Sequence, residues 1–257
     1  MKPDKEFIQK IARNAGKIVM KHYGKASVSH TKSDEKQIVT KADLESEEYI
    51  IKTIKQKYPS HGFIAEESGE EHKDKDGVWI IDPIDGTTNF SQNLPLFAVI
   101  IGFAWKGEIT HSCHYFPKLN ELYYAEKGKG AFLNGKKIKC SDKASVDNSS
   151  GLVPGYASKK VHEHLRKIIS SQDDKSIQLS IYICASAEFS FLANGRKDWY
   201  MTFNYSAWDI GPGTLLCAEA GCKVEFLDGS KYRLDKKGLL LIANPTLHTK
   251  IKNIITK

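Results

Sequence analysis

Two aspartates stand three positions apart at the end of an apolar run, in the segment WIIDPIDGTTNF that covers residues 79–90. If Asp82 and Asp85 end a buried strand, each raises the pKa of the other unless a positive charge lies between them. A divalent cation supplies that charge, and Mg²⁺ prefers oxygen ligands from carboxylates and backbone carbonyls. Because the carbonyl of Ile84 can point into the same space, the segment predicts a magnesium site.

A sharp turn follows the second aspartate. Gly86 lets the main chain reverse, and the amides of Gly86 and Thr87 could then bind an anion, as a backbone nest or at a helix N-terminus. The alternative is a capped turn, in which Asp85 accepts hydrogen bonds from the next amides. A D-x-x-D pattern by itself favours the capped turn, so the metal hypothesis needs further acids.

Three other segments supply those acids. Glu66 ends the short apolar run in FIAEES, VTKAD contains Thr40 and Asp43, and WDIGPG contains Asp209. Each has a purely structural alternative, because Asp209 could be a helix N-cap and Asp43 an acid in a first helical turn. In combination they favour a shared acidic pocket.

The elements that must position these acids follow from periodicity. Apolar residues at spacings of three and four predict a helix from about residue 5 to 23, and VTKADLESEEYIIKTIKQKYP predicts a second, which Thr40 or Asp43 could cap and Pro59 ends. GFIAEES and GVWIIDPIDGTTNF each predict a strand that ends in a loop. The segment from FAVIIGF to NGKKI alternates apolar runs with turn residues, which predicts an antiparallel meander with a hairpin turn at Asn134-Gly135.

The second half of the chain mixes helices and strands. HEHLRKIISS and SAEFSFLANG predict helices, and SIQLSIYIC, DWYMTF and CKVEFL predict strands. WDIGPGTLLCAEAG should begin a helix at Asp209 and end it at Gly221. The polar stretch around Cys140 to Val153 predicts a boundary between subdomains of about residues 1–142 and 143–257. The mixture indicates a layered α+β sandwich.

Composition excludes several classes of protein. The 257 residues are 40% apolar and 27% charged, and no stretch approaches the roughly 18 apolar residues of a membrane span. The N-terminal segment lacks the pattern of a secretory signal. Five cysteines without a C-x-x-C pair argue against disulfides and structural zinc and favour a reducing cytosol, with Cys217 and Cys222 as small buried apolar residues. The net charge of +7 comes from dispersed lysines, which makes nucleic-acid binding less favoured than a solvated surface that attracts small anions.

Two other catalytic patterns can be set aside. GAFLNGKK nearly matches a phosphate-binding loop, but Lys137 stands where a Ser or Thr must contact magnesium. The sequence contains no G-x-S-x-G elbow, the motif that would indicate a serine hydrolase. The histidines in HSCH and VHEH lack supporting partners and are interpreted as core or surface residues.

The combined segments resemble the inositol monophosphatase family, within the lithium-sensitive, magnesium-dependent phosphatase superfamily. The resemblance rests on IVTKAD, FIAEES, WIIDPIDGTTNFSQNLPLFAVIIGF, KGKGAFLNGKKI and WDIGPGTLLCAEAG, in the family's order and over nearly the whole chain. It implies a layered αβαβα sandwich that forms one catalytic unit over residues 1–257. It also implies a cytoplasmic homodimer.

The resemblance implies two to three magnesium ions. Glu66, Asp82 and the Ile84 carbonyl match the ligands of the first ion. Asp82, Asp85 and Asp209 match those of the second, so that Asp82 bridges the two ions. Glu66 would also face a weaker third ion.

Catalytic and phosphate-binding roles are implied in the same way. Asp43 and Thr87 match the pair that orients and deprotonates the attacking water, and Glu66 matches a further catalytic acid. The Gly86 and Thr87 amides, with Asp85, would hold the phosphate. Lys32 matches a family lysine near the site.

The segment expected to contact the substrate departs from the family. Cys184 and Ala185 occupy the small Gly-Ser segment before the substrate-lining helix, after Ile183. Thr202 stands where inositol-specific members have a glutamate that contacts ring hydroxyls. Cys222 replaces the second glycine of the usual E-A-G-G ending, and Pro212 lies early in the same helix.

The resulting hypothesis is a Mg²⁺-dependent phosphomonoesterase for a small phosphorylated polyol or sugar. Two ions would stabilise the attacking water and the leaving alkoxide of an in-line displacement. Fructose-1,6-bisphosphate, histidinol phosphate and 3′-phosphoadenosine 5′-phosphate are rival substrates. An alternative of another class is a non-catalytic anion-binding protein that acts on RNA or transcription.

Overall fold

The protein folds as a layered α+β structure, as the sequence predicts. The computed structural model describes residues 1–25, 28–32, 37–155, 159–171, 176–203 and 206–257, with only the backbone described for 28–32, 37–40 and 160. The helices are α1 (Lys5–His22), α2 (Lys41–Lys57), α3 (Thr87–Ser91), α4 (Lys159–Ser170), α5 (Ala185–Ala193), α6 (Ala207–Glu219) and α7 (Pro245–Thr256).

The strands run through the whole chain. They are β1 (Val28–Lys32), β2 (Gln37–Thr40), β3 (Gly62–Ala65), β4 (Gly69–Glu71), β5 (Gly77–Asp85), β6 (Ala98–Trp105), β7 (Glu108–Phe116), β8 (Glu121–Glu126), β9 (Gly130–Leu133), β10 (Lys136–Ile138), β11 (Ser150–Leu152), β12 (Gln178–Ser180), β13 (Trp199–Phe203), β14 (Lys223–Phe226) and β15 (Leu239–Ala243). β1 and β2 form an antiparallel pair.

The large sheet carries the acidic strand ends. Among the described residues its order is β10-β9-β8-β7-β6-β5-β3-β4, and β3 and β5 are its parallel pair. β5 is buried along its whole length. The predicted meander is confirmed as β6 to β10. Asn134 and Gly135, at φ of 48° and 80°, make the hairpin turn between β9 and β10.

A smaller mixed sheet lies in the second half of the chain. Its order within the described residues is β12-β11-β13-β15-β14. The chain leaves the large sheet after Ile138 and enters the small one at Ser150. The subdomain boundary near residue 142 stays a prediction.

Helices cover both sheets and fill the space between them. α1 and α2 pack on one face of the large sheet, α5 and α6 lie between the sheets, and α4 and α7 pack on the far face of the small sheet. The five layers therefore follow the order αβαβα, as the resemblance implies. Three buried apolar cores match the three helical layers. No helix of the described ranges is long and apolar enough to span a membrane.

The sequence of α1 explains both where the helix begins and which of its faces is buried. Asp4 caps the helix by accepting a hydrogen bond from the Phe7 amide, 2.7 Å away. Its buried residues recur at spacings of three and four, and they face the large sheet; they are Ile8, Ile11, Ala12, Ala15, Gly16 and Val19. The predicted first helix is thus confirmed.

Two predicted boundaries are wrong. α6 begins at Ala207 after the N-cap Ser206, so Asp209 is in the first turn rather than at the cap. Its Oδ2 accepts a hydrogen bond from the Ser206 amide at 3.0 Å, because an acid at the third helical position can bond back to the cap. The strand predicted in SIQLSIYIC ends at Ser180, where its partner β11 also ends at Leu152, and the φ of 53° at Ile183 is not that of a strand.

Cysteine and histidine predictions agree with the structure. The five cysteines are free, and Cys217 and Cys222 are buried. His111 and His114 are buried in β7, as core histidines.

Small residues allow α6 to lie close to its neighbours. A Cβ atom at Gly102 in β6 would be 2.5 Å from Pro212 Cγ, and one at Gly213 would be 2.3 Å from Phe189 Cγ in α5. Both distances are too short for a carbon contact. The glycines therefore set how near α6 can pack to the large sheet and to α5.

We expect Gly102→Ala to lower the free energy of unfolding by about 1–3 kcal/mol, because the added methyl group overpacks the contact with Pro212. Urea unfolding measures the change. Pro212→Ala is the matched partner, because it removes the ring that the methyl group would meet. The double variant should lose less stability than the sum of the two single changes; strict additivity would contradict the proposed contact.

Candidate metal centre

Three aspartates from distant segments meet at one point. Asp82 and Asp85 lie at the end of β5, and Asp209 lies in the first turn of α6. One carboxylate oxygen of each lies within 4.8 Å of those of the other two. The packing of α6 against β5 and β6 brings Asp209 to the strand end.

A bulge in β5 explains the spacing of the first two acids. Residues three apart in a regular strand point to opposite faces. Here Asp82 pairs with Ile100 and Asp85 pairs with Ala98, so three steps along β5 match two steps along β6. The extra residue re-aims the strand, as β-bulges do. Both carboxylates thereby reach the same pocket.

Asp82 is the most buried charge of the group. Its side chain is 1% exposed, and its Oδ1 has no hydrogen-bond partner among the described residues. Burial raises the pKa of Asp82 well above its usual range, and four nearby carboxylates raise it further; they are Glu66, Asp85, Asp209 and Asp43. A hard divalent cation fits this set of oxygen donors, because it would bind the free oxygen and balance the charges.

Glu66 is held at its strand end by a neighbouring helix. Its amide donates to the Ile81 carbonyl at 3.2 Å, which ties the end of β3 to β5. The buried Glu47 of α2 accepts hydrogen bonds from the amides of Glu67 at 3.0 Å and Ser68 at 2.7 Å. Glu47 thus fixes the turn that carries Glu66. The i, i+4 spacing of Asp43 and Glu47 placed both on one face of α2, which is the signal that could have identified Glu47.

Asp85 caps a helix from a distant part of the chain. Its Oδ1 accepts from the Ala185 amide at 3.1 Å, and its Oδ2 accepts from the Ser186 amide at 2.6 Å. Burial raises the pKa of Asp85, and these hydrogen bonds act against that rise. The amides at the start of α5 also favour a negative charge there. The capped-turn alternative had placed Asp85 on its own turn, and here it bonds to α5.

The turn after Asp85 needs its glycine. Gly86 has a φ of 85°, and a Cβ atom there would lie 3.0 Å from the Leu96 carbonyl oxygen and 3.2 Å from Cys184 Cβ. Gly86 is the N-cap residue of α3. The Thr87 hydroxyl donates to the Ile84 carbonyl at 2.9 Å, so two predicted site residues contact each other.

The remaining predicted site residues differ in how far the structure describes them. Asp43 is buried in the first turn of α2, close enough to raise the pKa of Asp82. The side chains of Lys32 and Thr40 lie outside the described residues. Thr202 lies in β13, 1% exposed, with no described hydrogen-bond partner for its hydroxyl. The substrate roles of Cys184 and Ala185 stay predictions.

A further buried carboxyl, Glu188, lies behind the site and was not foreseen. Glu188 of α5 accepts a short hydrogen bond from the Tyr200 hydroxyl and lies 3.5 Å from the Tyr182 amide. The Tyr182 carbonyl accepts a hydrogen bond from the Asn89 side chain at 2.9 Å, which connects this network to α3. An acid inside the apolar helix SAEFSFLA was the available signal for it.

The site and fold have clear counterparts among known proteins. The profile of the inositol monophosphatase family matches residues 1–256. The chain belongs to the inositol monophosphatase family. A Thermotoga maritima protein named fructose-1,6-bisphosphatase/inositol-1-monophosphatase is 31% identical over 252 residues, which cover 98% of this chain and 95% of that protein.

Other relatives carry a different kind of name. The Nus factor SuhB of Vibrio cholerae is 34% identical over 252 residues, covering 95% of this chain and 92% of its own. The crystal structure of the extragenic suppressor protein suhB from Bartonella henselae superposes with a TM-score of 0.88 at 27% identity, with 98% of each chain covered. The chain is therefore similar both to proteins named for phosphatase activity and to proteins named as a Nus factor or an extragenic suppressor.

We expect Glu47→Ala to lower the free energy of unfolding by about 2 kcal/mol, because it removes the acceptor of two amide hydrogen bonds. Urea unfolding measures the loss. Glu48→Ala is the matched control, since Glu48 is the exposed next residue of the same helix. Equal stability of the two variants would show that Glu47 does not hold the Glu66 turn.

Glu188 should make stability depend on pH. Burial raises its pKa from 4.5 to about 8, so the folded protein keeps a proton that the unfolded chain releases above pH 4.5. This contribution is complete below that pH and is lost as the pH rises towards 8. The unfolding free energy should fall by up to about 1.4 kcal/mol per pH unit relative to Glu188→Gln.

The measurement is urea unfolding at several values between pH 5.5 and 8. Glu163→Gln is the matched control, because Glu163 is an exposed glutamate on α4. If wild type, Glu188→Gln and Glu163→Gln share one slope against pH, Glu188 does not hold its proton through this range.

Proposed function

We propose that this protein is a Mg²⁺-dependent phosphomonoesterase that hydrolyses a small phosphorylated polyol or sugar. The observation that carries the proposal is the meeting of Asp82, Asp85 and Asp209, where the buried Oδ1 of Asp82 has no hydrogen-bond partner within the described part of the chain. Membership of the inositol monophosphatase family supports the same class of reaction.

The acidic residues of the pocket would hold the magnesium ions. Asp82, Glu66 and the Ile84 carbonyl would hold one magnesium ion, and Asp82, Asp85 and Asp209 would hold a second. Bound magnesium would supply Lewis acidity and charge neutralisation for water attack on phosphorus. A third ion at Glu66 belongs to the same proposal.

Phosphate and water would be placed by the turn after β5. The amides of Gly86 and Thr87 would donate to the phosphate oxygens. Asp43, buried at the start of α2, would accept a proton from the attacking water with the help of Thr87. The Thr87 hydroxyl already donates to the Ile84 carbonyl, so its oxygen has lone pairs left to accept a hydrogen bond from water.

Position 202 is a threonine, so this chain lacks the carboxylate that would bind ring hydroxyls there. Thr202 is buried within β13, so this position gives no support to a preference for inositol phosphate. The name of the Thermotoga maritima relative pairs inositol and fructose phosphates, and it supports a sugar phosphate as an equal candidate. Lithium sensitivity, a cytoplasmic location and a homodimer stay predictions.

We expect Asp82→Asn to lower magnesium-dependent phosphate release by at least about 100-fold, because it removes a carboxylate that would help to hold both ions. The assay measures inorganic phosphate with inositol 1-phosphate, fructose-1,6-bisphosphate, histidinol phosphate and 3′-phosphoadenosine 5′-phosphate. Asp74→Asn is the matched control, because Asp74 is exposed in the loop before β5. Equal rates for wild type and Asp82→Asn would eliminate the enzymatic proposal.

A second candidate function is a non-catalytic role on RNA or transcription. The relatives named Nus factor SuhB favour it, whereas the net charge of +7 comes from dispersed lysines and gives it little support. Against it stands a complete set of acids at the pocket. Salt-dependent RNA binding without phosphate release from any ester would favour this candidate.

A further inference from the structure

Asp85 receives more hydrogen bonds than a capping role requires. Besides the two α5 amides, its Oδ2 accepts from the Ser186 hydroxyl in a short hydrogen bond and from the Cys184 thiol at 3.1 Å. Three donors therefore converge on Oδ2, whereas Oδ1 accepts only the Ala185 amide among the described contacts. A carboxylate oxygen offers about two lone pairs. Oδ2 is thus saturated, and Oδ1 keeps a lone pair for another ligand.

The two side-chain donors are unusual choices for their positions. Cys184 is the N-cap residue of α5 and makes no side-chain cap hydrogen bond, although Ser, Thr, Asp or Asn is preferred there. Ser186 is fully buried between apolar layers, where an unpaired hydroxyl would be costly. Both side chains instead donate a hydrogen bond to Asp85.

We infer that Cys184 and Ser186 are positioning residues, which orient Asp85 so that Oδ1 faces the metal pocket. The inference rests on the proposed metal-dependent function, and it assigns Cys184 a different role from the substrate contact that the family resemblance implies. Neither side chain needs to touch the metal or the substrate.

The mechanism is restriction of one side-chain rotation. Without these side-chain donors, only the Ala185 and Ser186 amides would hold the Asp85 carboxylate, which could then rotate more widely about its Cβ–Cγ bond and tilt its lone pairs away from the ion. Hydrogen bonds to an ionised group are short and strong, so they hold one orientation. Loss of such an outer partner lowers metal affinity by roughly 10–100-fold in characterised sites.

Ser186→Ala should therefore weaken binding of Mn²⁺, used as the probe ion, by about tenfold. Cys184→Ala should weaken it less, because a thiol is a weaker donor, and Cys184→Ser should restore the affinity. The rate at saturating Mg²⁺ should change little for Ser186→Ala. The magnesium concentration for half-maximal rate should rise in parallel with the dissociation constant.

Calorimetric Mn²⁺ titration of the full chain is the primary measurement, and the magnesium dependence of phosphate release is the second. Ser190→Ala is the matched control. Ser190 is one turn further along α5, equally buried, and its hydroxyl pairs with His114 Nδ1 at 3.1 Å rather than with Asp85. Thermal unfolding verifies that each variant is folded.

The possible outcomes separate the inference from the proposed function. Equal Mn²⁺ affinity of wild type, Ser186→Ala, Cys184→Ala and Ser190→Ala overturns the positioning role. An equal loss in Ser186→Ala and Ser190→Ala also overturns it, because any change in α5 would then suffice. A selective loss in Ser186→Ala supports the inference even if no ester is hydrolysed, in which case only the proposed function fails.

Discussion

Repulsion among buried carboxylates is the constraint on which this structure depends. Asp82 is almost completely buried, and Asp85, Asp209, Glu66 and Asp43 all act on it as negative charges. Burial of several like charges is unfavourable unless cations or hydrogen-bond donors balance them. A fold that keeps such a cluster must hold each acid firmly and leave room for an ion.

Three helices meet that requirement with their N-termini. Asp43 lies in the first turn of α2, Asp209 lies in the first turn of α6, and Asp85 caps α5 from outside. The free amides at a helix N-terminus and the helix dipole favour negative charge. The acids thus contribute to helix stability while they face the pocket, which reduces the cost of gathering them.

The candidate metal site and the segments proposed to contact the substrate come from different parts of the chain. The acids depend on β5, α2 and α6, whereas the segment before α5 and strand β13 carry the departures from the inositol-specific pattern. Similar proteins carry the names fructose-1,6-bisphosphatase/inositol-1-monophosphatase and Nus factor SuhB. Membership of this family is therefore compatible with more than one kind of named role.

The sequence by itself determined the layered fold, the confirmed helices and meander, and the candidate acids, because periodicity and turn residues are local properties. Only the tertiary structure decided that a bulge turns Asp82 and Asp85 to one side, that α6 begins two residues before Asp209, and that Cys184 and Ser186 bond to Asp85. These features depend on strand register and on contacts about 100 residues apart in the chain. Local patterns carry no information on such distant pairs.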